Sequence, residues 1–303
     1  MLTEDFPPHH KAGYISIIGK PNAGKSTLLN VLLGEKLAIA TAKAQTTRHR
    51  IMGIINAPDY QIIYSDTPGI IEQPKYKLHE RMMTYVKESL SDSDALIFLA
   101  DAQDEWTKDQ ELVSKLSSIV KEKPIILLVN KIDLVNQEFV TAQIKKWTEL
   151  VPFTAVSAIS ALHQFNLQNL LDTLLQYLPV HPPYFSKDAF TDRPERFFAS
   201  EIIREQIFLH YEQEIPYCSE VRIVEFKDKI DILAIRAEIF VERTSQKGIF
   251  IGHKGEMIKK VGIAARLELE KFFGKKVFLE QHVKVEPDWR TKQNSLDKFG
   301  YDQ

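Results

Sequence analysis

Six strand-length runs, "YISIIG", "RIMGII", "YQIIYSD", "ALIFLADA", "IILLVN" and "FTAVSA", recur between residues 14 and 158. They are rich in Ile, Val and Leu and mostly apolar throughout, without the alternation of a strand that has one wet face. Such runs belong to strands buried on both faces. Between most of them lie amphipathic stretches such as "KSTLLNVLLG", "KDQELVSKLSSIV" and "NLQNLLDTLLQYL", which supply helices for the two faces. The pattern predicts a doubly wound α/β sheet. One connection is too short for a crossover helix: residues 56–59, which include Pro58 and Asp59, permit only a hairpin. That pair is expected to be antiparallel and the sheet mixed but mostly parallel.

The segment "LPVHPPYF", residues 178–185, holds three prolines and halts the pattern, since proline cannot continue a helix interior. A chain of 303 residues exceeds what one core usually supports, so two domains are expected. We place a first domain at 10–178, a linker at 179–190, a smaller α+β domain with a three-stranded sheet at 191–291, and a tail at 292–303. Net charge is only −2, so there is no global electrostatic footprint for nucleic acid, and any such surface must be local. The single cysteine, Cys218, excludes an intrachain disulfide and points to a reducing compartment, with the thiol as a small packing residue. "MLTEDFPPHHK" lacks a signal-peptide pattern, and no apolar run reaches the ~18 residues of a membrane span. A cytoplasmic protein is expected.

"GKPNAGKS", residues 19–26, fits G-x-x-x-x-G-K-[S/T] and lies between a predicted strand and a predicted helix, the context that makes the motif meaningful. Gly19, Lys20, Pro21, Asn22, Ala23, Gly24 and Thr27 would cradle phosphate; Lys25 would reach the β/γ oxygens and Ser26 would give a hydroxyl to magnesium. "DTPG", residues 66–69, closes the strand "YQIIYSD", so Asp66 would hold magnesium through water while Gly69 N–H meets a γ-phosphate, with Thr67 and Pro68 between them. "NKID", residues 130–133, ends "IILLVN". Asp133 can accept from both N1–H and N2–H2 of guanine, a pair adenine cannot offer. Asn130 would brace the base or the loop, the Lys131 stem would cover the ring, and Ser157, Ala158 and Ile159 would bring the Ala158 N–H to guanine O6. The ligand expected is GTP or GDP with Mg2+, not ATP.

P-loop, DTPG, NKxD and SA in this order resemble the translation-factor-related GTPases. The stretch "AKAQTTRHRIMGI", residues 42–54, lies where their first switch belongs, so Thr47, or Thr46, would close over magnesium when γ-phosphate is present. In Ras-like enzymes a glutamine after the DxxG glycine orients the attacking water. Here that place is Ile70, which has no hydrogen-bonding atom, so either another group aligns water or the switch is slow and partner-driven. Asn22 resembles the asparagine of potassium-stimulated GTPases, which implies K+ held by Asn22 and switch-loop carbonyls where an arginine finger otherwise acts. Alternatively Asn22 only favours a turn.

A second glycine loop, "IGHKG" at 251–255, follows two predicted strands and the apolar run "IFI" and opens a long helix before a last strand. This order resembles the KH module, whose GxxG clamps about four nucleotides of a single strand. Gly252 and Gly255 would let the sugar-phosphate chain approach, while His253, Lys254, Lys259, Lys260 and Lys247 surround the loop and Ile249, Ile251, Ile258 and Ile263 divide between groove wall and core. Trp106, Trp147 and Trp289 are read as packing anchors. The fold class is therefore an α/β P-loop GTPase domain with helices on both faces of its sheet, followed by a smaller α+β KH-like domain.

"GKPNAGKSTLLN", "KAQTTRHRI", "DTPG", "NKID", "TDRPERFFASEIIREQI" and "IGHKGEMIKKVGIAAR" carry a resemblance over nearly the whole chain to the Era-type GTPases, in the TrmE-Era-EngA-YihA-Septin-like group with a C-terminal type 2 KH domain. The resemblance implies GTP hydrolysis and a role in assembly of the small (30S) ribosomal subunit. It implies that the KH domain binds single-stranded 16S rRNA near its 3′ end. A monomer is expected; a membrane-surface switch is the lesser alternative, as weak peripheral contact at the inner face of the cell membrane only, because the C-terminal helix is not distinctly basic-amphipathic. Related GTPases that assist tRNA modification need a further domain or a reactive cysteine, and the setting of Cys218 is an ordinary strand entry.

Overall fold

The apolar runs form strands in the computed structural model, which describes residues 6–41, 43, 46–71, 73–104 and 109–301. Trp106, with residues 42, 44 and 45 of the first-switch stretch, lies outside the described residues. The chain divides into two units, residues up to 40 with 47–70 and 82–192, and residues from 193 onward with 41–46 and 71–81.

In the first unit the chain runs β1 (Lys11–Ile18), α1 (Lys25–Leu33), β2 (Ile51–Asn56), β3 (Tyr60–Asp66), α2 (Lys77–Asp92, entering this unit at Met82), β4 (Ala95–Asp101), α3 (Gln110–Ile119), β5 (Ile125–Asn130), α4 (Gln137–Leu150), β6 (Ala155–Ala158) and α5 (Leu167–Tyr177). The sheet order is β2-β3-β1-β4-β5-β6. β2 and β3 are antiparallel, as their short connection requires, and every other pair is parallel. Every residue of β5 is buried, which is why that run lacks polar alternation. Phe98 of β4 meets Trp147 of α4 edge-to-face at 5.0 Å, so Trp147 anchors packing as its sequence setting suggests. The parallel strands carry Gly19, Asp66 and Asn130 at or just beyond their C-terminal ends, the edge where ligands bind in open α/β sheets.

Residues 179–192 are not a free linker. Ile54 N–H donates to Phe190 O at 2.9 Å, Thr191 bridges Gly53 in antiparallel fashion, and Asn56 Nδ2 donates to Ala189 O at 2.7 Å. Gln61, fully buried on β3, donates to Phe185 O and accepts from the N–H groups of Tyr184 and Phe185. β2 is an edge strand, and an edge leaves backbone donors and acceptors that need partners. Proline stops a helix here but does not prevent the segment from supplying them, so the boundary falls after Asp192.

The second unit contains α6 (Glu195–His210), α7 (Ile215–Cys218), β7 (Glu220–Asp228), β8 (Ile232–Val241), α8 (Thr244–Ile251), α9 (Glu256–Phe273), β9 (Lys276–Val285) and α10 (Gln293–Lys298). Its sheet is β7-β8-β9, with β7 and β8 antiparallel and β8 and β9 parallel. Ile203 and Ile207 of α6, Phe250 of α8 and Val261, Ala265 and Leu269 of α9 close a core over Leu233, Ile235, Ala237 and Ile239 of β8. The apolar "IFI" before the second glycine loop ends the helix α8, with no strand there.

The expected tail is also integral to this unit. Leu296 and Tyr301 are fully buried, and Trp289 Nε1 donates to Cys218 O at 2.8 Å. Cys218 is a buried free thiol in the same core. The Tyr301 hydroxyl donates to Glu220 Oε2 at 2.6 Å, close to the buried Arg204–Glu201 pair, whose charges draw Glu220 and Tyr301 into one electrostatic cluster. A hydrogen bond to a buried charge contributes about 1.5–3 kcal/mol. Tyr301→Phe should therefore lower unfolding free energy by about 2 kcal/mol in urea titration; an unchanged midpoint would mean that Glu220 is paired well enough without it.

Candidate nucleotide site and glycine-loop surface

β1 delivers the chain into the phosphate loop, and two glycines there answer to close contacts. A Cβ on Gly19 would lie 2.4 Å from Leu99 O, and one on Gly24, whose φ is +100°, would lie 2.4 Å from Asn130 Nδ2. Asn22 also has positive φ, at 65°, which asparagine tolerates better than most residues. α1 begins at Lys25 without a side-chain cap, so its first N–H groups face the loop as donors for an anion.

Lys25 is buried and its Nζ donates to Gly19 O at 3.0 Å and Lys20 O at 2.7 Å. Burial lowers its pKa to about 8 against the opposing pull of Asp66. Ser26 Oγ donates to Asp66 Oδ2 at 2.8 Å, lies 3.0 Å from Thr47 Oγ1, and Thr47 Oγ1 reaches the same carboxylate oxygen at 3.3 Å. Of Thr46 and Thr47, Thr47 is the one whose hydroxyl lies beside Ser26 and Asp66. Burial pushes the Asp66 carboxyl up, partly offset by Lys25, Ser26, Thr47 and the Thr67 N–H, and its Oδ1 is buried with no partner among the described residues. Two hydroxyls and a carboxylate with an unpaired oxygen form a hard oxygen set of the kind Mg2+ takes, and the residues present fit that ion. Thr67 Oγ1 is tied to Ile17 O at 3.1 Å, and Gly69 abuts the phosphate loop, where a Cβ would meet Pro21 Cγ at 2.9 Å. Ile70 packs partly against the core beside β4 and β5. It lacks a group to orient water.

The base end is assembled around β5. Asn130 Nδ2 donates to Ala23 O and its Oδ1 accepts from Ala161 N–H, each at 2.9 Å, so this side chain braces loops. Lys131 adopts φ 63° and its Nζ pairs with Asp101 Oδ2 at 2.6 Å. A cavity of about 190 Å3 is lined by Gly24, Thr27, Asn130, Lys131, Asp133, Leu134, Ala161 and Leu162. Ser160 Oγ donates to Asp133 Oδ1 at 2.6 Å and holds that carboxyl below its ordinary range, helped by His163 and Lys131. An ionised, oriented Asp133 is an acceptor for two adjacent N–H groups.

Ser157, Ala158 and Ile159 do not line this cavity. Ser157 and Ala158 lie on β6, where Asn166 Nδ2 bonds Ser157 Oγ and Ala158 O at 3.0 Å each, and Ile159 N–H donates to Val129 O. Ala161 and Leu162 line the cavity and Ser160 bonds its Asp133; Ser160 and Ala161 are the second of two Ser-Ala dipeptides three positions apart. The Ile159 N–H just beyond β6 is bonded back to Val129 O, and the chain reaches the cavity only after it, at Ala161 and Leu162. Repetition of the dipeptide was the signal in the sequence, and strand length decides between the copies.

In the second unit the glycine loop joins α8 to α9. Gly252 has φ 73°, and a Cβ there would meet Met257 Cγ at 2.8 Å; Gly255 has φ 82° and open space where its Cβ would be. Lys254 also has positive φ, at 47°. His253, Lys254, Lys259 and Lys260 are exposed around the loop and the first turns of α9. Ile251 and Ile258 pack partly into the core, whereas Ile249 and Ile263 are exposed, which divides the four isoleucines between packing and surface.

Residues 14–131 match the family described as 50S ribosome-binding GTPase, and residues 214–290 match the KH domain family. The chain is 41% identical over 294 residues to GTPase Era of Ruminiclostridium cellulolyticum, covering 96% of this chain and 98% of that protein. This chain belongs to the Era family of GTPases. A chloroplastic ERA-like GTPase of Arabidopsis thaliana is 39% identical, over 97% of this chain and 69% of its own length. Two solved Era structures superpose with TM-scores of 0.92 at 41% identity, each covering 97% of this chain and 100% of the other. One is a variant of Aquifex aeolicus Era bound to GDP and AlF4−; the other is Era with MgGDPNP and nucleotides 1506–1542 of 16S ribosomal RNA. The chain is a GTPase with a P-loop domain followed by a KH domain.

Guanine selection through Asp133 has a direct test. Asp133→Asn replaces one acceptor with a donor, so GTP affinity should fall at least about 100-fold while xanthosine triphosphate becomes the better ligand. Unchanged GTP affinity in a nucleotide-competition titration would remove Asp133 from base recognition.

Proposed function

We propose that this protein is a GTP-switched RNA-binding factor in assembly of the small (30S) ribosomal subunit. Its KH domain holds single-stranded 16S rRNA near the 3′ end. The supporting observation is the Gly252–Gly255 loop, with its left-handed backbone, open space at Gly255 and exposed lysines at 254, 259 and 260. Such a loop admits a sugar-phosphate chain to hydrogen-bond distance and supplies its counter-charge. A relative with 41% identity, seen with a 16S rRNA segment, supports the choice of RNA. A buried lone thiol agrees with a cytoplasmic setting, and no helix among the described residues is long and apolar enough to cross a membrane.

In this reading Lys25, the loop amides and the α1 N-terminus bind the triphosphate. Ser26, Thr47 and Asp66 would hold Mg2+, which would supply positive charge to offset that of the triphosphate. Hydrolysis removes the γ-phosphate contacts of Thr47 and Gly69, so GTP and GDP differ at these loops and GTP should favour the RNA-holding state.

Gly255→Asp tests the RNA site. Asp tolerates a left-handed backbone and the position is open, so folding should survive at a cost of about 1–2 kcal/mol. An oligonucleotide of the 16S 3′ segment should bind at least about tenfold more weakly by fluorescence anisotropy, while GTP affinity stays within about twofold. The wild-type protein should hold that RNA more tightly with a non-hydrolysable GTP analogue than with GDP. Equal RNA affinity of variant and wild type would reject this surface, and equal affinity of the two nucleotide states would reject the switch.

With Ile70 unable to orient water, we further propose that K+ at Asn22 supplies positive charge beside the transferring phosphoryl. Turnover should then be faster in KCl than in NaCl at matched ionic strength, and Asn22→Ala should erase the difference. Equal rates in the two salts for the wild type would leave Asn22 with only its turn.

A further inference from the structure

Residues that flank Thr47 and Asp66 in the chain meet in a buried polar cluster. The β2–β3 ladder ends at the pair Ile51–Asp66, so sheet pairing holds the incoming chain only from Ile51 onward. Thr47 stands four residues upstream of that pair, yet its hydroxyl reaches the Asp66 carboxylate. Arg50 lies between, buried although it carries a full charge. Its Nε donates to Ser65 Oγ at 2.9 Å and its Nη1 pairs with Asp92 Oδ2 at 2.8 Å. The side chain of Arg50 thus carries the pairing of the two strands one residue beyond the ladder.

Ser65 precedes Asp66 on β3, and its side chain leaves the opposite face of the strand. A guanidinium has no acceptor, so Ser65 Oγ accepts from Arg50 and can pass its own hydrogen to Ser89 Oγ, 3.0 Å away on α2. Ser16, beside Ser65 on β1, donates from Oγ to Ser89 O at 2.8 Å. All three serines are buried, and the row joins β1, β3 and α2. Asp92 is the last residue of α2, where a carboxylate meets the negative end of the helix dipole. Arg50 answers that charge. A planar guanidinium bonded to two separate elements is fixed in place.

We propose that Arg50 is a positioning residue for the magnesium side of the GTP site. It acts through its neighbours in the chain: by tying the backbone just after Thr47 to the residue just before Asp66, it holds the hydroxyl of one at the carboxylate of the other. Asp92 sets this tie against α2. The inference rests on the assignment of Ser26, Thr47 and Asp66 to Mg2+ and adds what keeps two of them together.

Binding of a non-hydrolysable GTP analogue, titrated in Mg2+ and in EDTA, tests it. Wild-type affinity should rise at least about tenfold when Mg2+ replaces EDTA. In Arg50→Ala that gain should fall below about threefold, while affinity in EDTA, which reads the phosphate and base loops alone, stays within about twofold. Arg50→Lys keeps the charge but not the planar pair of donors, so it should recover only part of the gain. A full gain in Arg50→Ala overturns the positioning role, and so does an equal loss in the two media, the mark of a merely structural arginine. Should Arg50→Ala fail to fold, Ser65→Ala and Asp92→Asn, the latter at a half-exposed side chain, decide the matter: a full Mg2+ gain in both overturns it. Thr47→Ala and Asp66→Asn tell the two failures apart, because a full gain in these would sink the magnesium assignment itself.

Discussion

The paired carboxamide of Asn130 is the interaction on which the nucleotide site depends. It sits at the end of a strand with no exposed face, donates to the phosphate loop at Ala23 and accepts from the base loop at Ala161. A buried amide with both ends satisfied fixes two loops to one rigid point, and it does so only because residue 24 has no Cβ. The phosphate loop, the base loop and β5 are therefore one assembly. Removing the amide would leave buried partners unpaired in two loops at once, which is more damaging than the loss of either bond.

The two glycine loops apply the same backbone physics to different ligands. In the first, glycine makes room for protein atoms: Leu99 O behind Gly19 and Asn130 Nδ2 behind Gly24. The loop is packed from behind, and its lysine is held inside it with a lowered pKa. In the second, only Gly252 is backed, by Met257, while Gly255 faces open space and the lysines point outward. A packed loop grips one compact triphosphate. An open loop lets a polymer pass.

Much of this was legible in the residues. Continuous apolar runs show a covered sheet because no other environment tolerates them, and the three-residue link between β2 and β3 can only be a hairpin. Motifs that act through their own backbone, such as 19–26, sit where the pattern places them. What was hidden depends on partners distant in sequence. Proline at 179, 182 and 183 marks the end of helix α5, but nothing local tells that Gln61 and Ile54 will bond the segment that follows. Two Ser-Ala dipeptides differ only in where β6 stops. The tail looks polar, yet its Tyr301 completes a buried charge cluster.

The segment laid along β2 also changes the chain statistics of the protein. A flexible coil from 179 to 192 would let its far end wander over a distance on the order of 20 Å. Bonded to β2 and β3 as far as Asp192, whose carboxylate accepts from Met52 N–H at 3.0 Å, it has lost that freedom before α6 begins at Glu195. Pro194, with φ −73°, precedes the helix with its φ locked by the ring, and that ring also restricts Arg193 before it to extended backbone. The entropy of a long tether is therefore lost once, on folding the first unit.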